Sequence, residues 1–520
     1  MLRPALLRKS AAQGLQKAVT RSLPAPVGGW NARDPLAAMP EKDAIVLENW
    51  FPKAADVAVR PGAIAHKTGF GSTVRTLMAW NGYANQKLFA ATDTGIFDAT
   101  VSGAVGASVS ALTNGALQYV NFSTVAGMFL VAVNGDDKLK LYDGVAWADV
   151  DGLSPIAITG LATTSLVSVA VIKKRLWFVE RNSMSVWYLP VAQVGGALTE
   201  FPLGQLFSRG GHVVAAGTWT IDGGAGSDDY AVFITSEGEV AVYKGTDPGA
   251  AATWAHVGTY YIGEPVGRNC FCKFGGDLLI LCQNGLYPLS RAVQSSLVDR
   301  SAALTSKIDT AFTEAVTLYG HNIGWQAISY PQGSFVLVNV PVTASYVQQY
   351  VMNSITGAWC RFSGWNASAW EVFGENLYFA GTDKVARAWV GNSDFGAAIF
   401  AKAQQAYSYF GNRAQQKHFK LVRPVVALGG KVTLQLGMDA DYTIGKFASF
   451  TATGPVENYV WDSSEWNAAT WAANSETRRD WATIFAKECY AGAFRLQCAV
   501  TSATLRWSAT DFVYERGGVL

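Results

Sequence analysis

The chain has 520 residues, half of them hydrophobic and only 15% charged, with a formal net charge of +2. That length exceeds one ordinary core, and the apolar content excludes a disordered chain. No long basic run follows the first 21 residues, so the sequence does not support strong neutralisation of a nucleic-acid backbone.

Residues 1–27 read as a basic arm. Arg3, Arg8, Lys9, Lys17 and Arg21 precede the first acid, Asp34. The arm is expected to dock on a partner; a transit-like leader has a similar composition, whereas Arg8, Lys9 and Ser10 interrupt the apolar stretch of a secretory signal. Residues 28–70 form a docking or ring-closing segment, punctuated by Gly28-Gly29-Trp30-Asn31, Asp34-Pro35, Phe51-Pro52 and Arg60-Pro61-Gly62. Within it, Ala44, Leu47 and Trp50 recur every three residues, predicting a short helix over 41–50 that stops before Pro52.

From 71 to 412 strand signals recur at 87–92, 128–133, 175–179, 230–234, 277–281, 334–338 and 376–380. Their spacing, roughly 41 to 56 residues, predicts a mainly β body: a six- or seven-bladed β-propeller in which each unit covers its neighbour. One segment breaks the rhythm. Leu304, Ile308, Ala311, Phe312 and Ala315 are spaced for an amphipathic helix inserted near 302–319. Residues 413–520 read as a C-terminal β domain, a sandwich or barrel, with strands at 432–436, 493–499 and 511–515.

Chemistry-bearing patterns are sparse. The five histidines, at 66, 212, 256, 321 and 418, have no ligand at a metal-motif spacing. Cys270, Cys272 and Cys282 read as buried thiols, and Cys489 and Cys498 flank a hairpin that can accommodate one disulfide. Asp136-Asp137 and Asp228-Asp229 fall in turn-like stretches, where Asp bonds its own backbone; an acid–base pair or a calcium loop at 134–137 is the sharper alternative. The stretch 154–172 is broken by Pro155 and Gly160, so no membrane span is expected. No phosphate loop, nucleophile elbow or zincin motif is found. The expectation is therefore no enzyme: no catalytic, cofactor-binding or metal residues, and no cofactor. Trp359, Trp365 and Trp370, with the tryptophans at 461, 466, 471 and 481, fit sugar stacking or interface anchoring.

Gly28 to Pro35, Asn49-Trp50-Phe51-Pro52, Val59-Arg60-Pro61-Gly62, Arg423-Pro424 and the stretch 507–518 together resemble the tail nozzle or tail hub proteins of short-tailed bacteriophages. These are also called tail tubular protein B or packaged-DNA stabilisation proteins. The resemblance implies a structural subunit of the virion tail, assembled in the host cytoplasm, with no integral membrane association. It implies a homohexamer at the head–tail connection, placed between an adaptor or portal-proximal ring and tail-tip or fibre proteins. That conduit would hold packaged double-stranded DNA and pass it during ejection without sequence-specific binding. Arg3, Arg8, Lys9, Trp30, Trp50, Arg60, Phe312 and Arg423 are the expected assembly contacts. A glycan- or receptor-binding propeller using Trp365 and Trp370 is the alternative, and a polysaccharide-degrading propeller the next.

Overall fold

The computed structural model describes residues 18–222, 227–294, 300–453, 476–478, 480–484 and 488–519. Mainly β structure is what these residues adopt, and every strand signal named above falls on a strand, that at 334–338 from Phe335 onward. Side-chain pattern explains the placement. Phe335–Pro341 and Val347–Asn353 are buried along their whole length and lie inside a wide sheet. Lys431–Ala440 instead alternates exposed and buried positions over its first six residues, because successive side chains of a strand point to opposite faces.

The sheets are arranged otherwise than the repeat predicts. The described residues form nine open sheets of two to ten strands, and none closes into a barrel. The expected six- or seven-bladed propeller followed by a C-terminal sandwich or barrel is therefore corrected. The overturning feature is a ten-stranded sheet that draws on three parts of the chain. Its path runs from Gln326–Tyr330 through Trp359–Phe362, takes in Asp43–Glu48, and continues through Ile399–Gln405 to Gly492–Val500 and Lys431–Ala440. A second, seven-stranded sheet joins Gln415–Gly429 and Thr504–Val519 to Val19–Pro24, Trp50–Pro52 and Val57–Val59. Equal, self-contained modules would share no such strands.

Asp43–Glu48 also corrects the helix expected over 41–50. The segment is a strand, bonded antiparallel to Ile399–Gln405 and parallel to Trp359–Phe362 at Glu48. β-Branched Ile45 and Val46 suit that setting, and sheet pairing overrides the three-residue spacing. Asn49 then takes a left-handed backbone (φ 58°), a conformation asparagine tolerates better than most residues. The chain thereby leaves the ten-stranded sheet and enters the seven-stranded one at Trp50. The α-helix near 302–319 spans Asp309–Tyr319, after 3₁₀ turns at Arg300–Ala302 and Leu304–Ile308. Its Phe312, Ala315 and Val316 are buried on one face, and Phe312 meets the ring of Trp325 edge-on at 6.2 Å. No helix among the described residues is long and apolar enough to cross a membrane.

Between these two large sheets' strands in sequence lie the smaller ones that matter for the site. Three successive four-stranded antiparallel sheets begin with the edge strands Gln118–Thr124, Leu166–Ile172 and Val213–Asp222. A three-stranded sheet follows, with Phe271–Phe274 at its edge.

Candidate functional site: a polar hollow between sheet edges

The expected contact residues are mostly consumed inside the chain. Arg60 is the clearest case. Its guanidinium is fully buried and donates to Asn49 Oδ1 (2.9 Å), to the carbonyls of Pro61 (2.9 Å) and Ser363 (2.6 Å), and to both oxygens of Asp394 (3.0 and 2.6 Å). It also lies over the Trp365 ring, 4.1 Å from the centroid. Trp30 packs edge-on against Tyr350 at 5.1 Å, and Trp50 against Trp507 at 6.0 Å. Arg423 pairs with Asp511 at 2.7 Å and lies over Trp481. Asn31 donates to Asp34 and Asp43, and Lys307 donates to Asp43 and to the Gly28 carbonyl. Arg3, Arg8 and Lys9 fall outside the described residues, as do the tryptophans at 461, 466 and 471.

Trp365 and Trp370 are fully buried, so the sugar-stacking role is corrected as well. Their indole N–H groups donate to Asp394 and Asn339, each at 2.9 Å. Of the paired carboxylates, three are bonded locally, and the Asp228 side chain lies outside the described residues. Asp137 accepts from Thr113 and Asn134, Asp136 from Asn114 and Arg181, and Asp229 from Thr220. Among the described residues no group of three His, Cys, Asp or Glu side chains is placed to hold a metal. All six cysteines are free and buried. Burial pushes Cys270, Cys272, Cys282, Cys489 and Cys498 up to about 12 and Cys360 well above its usual value, so they stay protonated and poorly nucleophilic.

What the structure does assemble is a hollow of about 440 Å³ bounded by the four edge strands. It stays open because the lining is small: Ser168, Ala170, Ala215, Ala216, Gly217 and Thr218. It is polar because edge strands present unpaired backbone groups and because Gln118, Asn121 and Asn269 line it too. Phe271 and Lys273 face it while Cys272 between them is buried, as strand alternation dictates. A second hollow of about 430 Å³ shares Gln118, Arg268 and Asn269, and adds Arg75, Asp93 and His321. A third, of about 230 Å³, is lined by Arg181, His212, Glu264 and again Arg268.

Arg268 thus borders all three hollows. Its long contact to the Asn134 carbonyl is 3.4 Å; the residue is solvent-exposed, and partial desolvation of the guanidinium, with Arg181 nearby, pulls its pKa down. Close by, the Tyr119 hydroxyl donates to Glu371 Oε2 at 2.6 Å. Loss of solvent raises that carboxyl to about 7, against the pull of Tyr119. None of Arg268, Lys273, Tyr119 or Glu371 is singled out by the sequence. The only local signal is the turn-like Gly267-Arg268-Asn269 after Pro265.

No family model and no curated protein matches this chain. Among solved structures it is similar to a chain of the BBS1N–ARL6DN complex (11% identity, TM-score 0.39, 63% of this chain and 96% of that one). It is also similar to Raptor of Chaetomium thermophilum (12%, 0.36, 65% and 29%). A third is a family 43 arabinoxylan arabinofuranohydrolase of Bacillus subtilis in complex with cellotetraose (10%, 0.24, 86% and 96%). Similarities this distant assign no activity. Trp30, Trp50, Arg60 and Arg423, from the short motifs that carried the tail-nozzle resemblance, make their contacts within the chain. The resemblance is corrected on that basis, and with it the conduit role, since the described sheets form no closed channel.

Proposed function

We propose that this is a non-enzymatic ligand-binding protein whose recognition site is the hollow between the four sheet edges. The observation that carries the reading is the position of Arg268, one residue bordering three hollows. The lining supports it: amides, hydroxyls and cations hold a ligand, whereas the chain's thiols are buried and protonated and Glu371 is engaged by Tyr119. A hollow of this size falls in the range of small-molecule sites, about 300–1,000 Å³. The test is calorimetric titration of the full chain with inorganic phosphate, citrate, maltotriose and spermine. Saturable binding of at least one, abolished when Thr218→Trp fills the hollow, is expected. Binding that Thr218→Trp leaves intact, or none with any of the four, refutes the reading.

A further inference from the structure

On the reading that the hollow is the recognition site, we infer that its ligand is a small oxyanion, a phosphate monoester or a carboxylate, held between Arg268 and Lys273. The inference follows from which cations are already neutralised. Arg75 is paired with Asp93 at 3.0 Å and Arg181 with Asp136 at 2.6 Å. Arg268 and Lys273 make no ion pair within the described residues, and no carboxylate is among the residues lining the 440 Å³ hollow with them. The acids of the neighbouring hollows are engaged elsewhere: Asp136 with Arg181 and Asn114, Asp93 with Arg75, Glu264 with Gln283, and Glu371 with Tyr119.

Two cations facing one polar hollow repel each other, and an anion between them supplies the missing counter-charge. A planar guanidinium meets a phosphate or carboxylate with two parallel N–H donors, while an ammonium acts as a point charge. Neutral donors complete the site. Gln118 donates to Asn269 Oδ1, which leaves the Asn269 amide N–H groups for a ligand oxygen. Ser168 and Thr218 add hydroxyls on the facing strands.

Titration of the full chain with inorganic phosphate and, separately, citrate distinguishes the two sources of oxyanion. At least one should bind saturably, at least tenfold more weakly in Arg268→Gln and in Lys273→Gln. Arg268→Lys should recover part of the loss, and Arg75→Gln should leave affinity within twofold. Phosphate or citrate binding that is unchanged within twofold in the Arg268→Gln/Lys273→Gln double variant overturns the inference. So does binding of maltotriose or spermine alone, blocked by Thr218→Trp; in that case the recognition site stands and only the ligand class falls. Failure of every probe removes both.

Discussion

The guanidinium of Arg60 makes a sharp test of how the large sheets are joined. Arg60→Met removes five donated bonds at once and leaves Asp394, whose side chain is only 12% exposed, with the Trp365 indole N–H as its remaining side-chain partner. Removing one partner of a buried ion pair is destabilising by about 3–5 kcal/mol, because the other charge stays desolvated. At 1.4 kcal/mol per factor of ten, that corresponds to amide exchange faster by roughly a hundred- to several-thousand-fold wherever the junction governs opening. The amides to follow are those of Asn49, Arg60 and Ser363, which bond to the Arg361 carbonyl, the Asn49 carbonyl and Asn49 Oδ1. Native-state hydrogen exchange measured by mass spectrometry reads them directly and does not require two-state unfolding. Arg60→Met with Asp394→Leu should be less destabilised than Arg60→Met alone, since no charge is then stranded. Exchange in Arg60→Met within threefold of the parent would show that this cluster does not hold the sheets together.

Two further outcomes follow from ionisation. Glu371 binds its proton more tightly folded, at about 7, than unfolded, at its usual 4.5; the stability it contributes is present below about 4.5 and lost as pH rises to about 7. Glu371→Gln should flatten that part of the thermal stability profile, and an unchanged slope between pH 4.5 and 7 would count against a half-buried carboxyl that keeps its proton. The six buried thiols should resist iodoacetamide at pH 8 in the native protein and all react after unfolding, counted by intact mass; a thiol labelled natively would contradict its burial.

Local pattern was legible where a residue's partners lie nearby in sequence. Asp277–Cys282 and Phe335–Pro341 show as apolar runs bounded by turns, and the helix at Asp309–Tyr319 shows through the spacing of Phe312 and Ala315. Ala44, Leu47 and Trp50 misled because, apart from the two-residue strand Gly29–Trp30, the partners that make Asp43–Glu48 a strand lie some 300 residues or more away, in Trp359–Phe362 and Ile399–Gln405. Trp30 and Arg60, expected as contacts for another molecule, make contacts within this one that no short motif announces. The hollow was invisible for a different reason. Its floor is Ser, Ala, Gly and Thr from separate strands, and Arg268 becomes distinctive only when four edges converge around it.

The pairing of Val19–Pro24 with Thr504–Val519, in register from Val19 opposite Tyr514 to Pro24 opposite Ala509, has a consequence for biosynthesis. A ribosome releases the early strand long before its hydrogen-bonding mate exists, and the same is true of Asp43–Glu48 and Ile399–Gln405. Throughout translation the nascent polypeptide therefore carries unsatisfied edges, which makes maturation slow and leaves it open to aggregation. A fragment ending before residue 504 lacks the central strand of the seven-stranded sheet, so premature termination should yield insoluble product even when most of the smaller sheets have been synthesised.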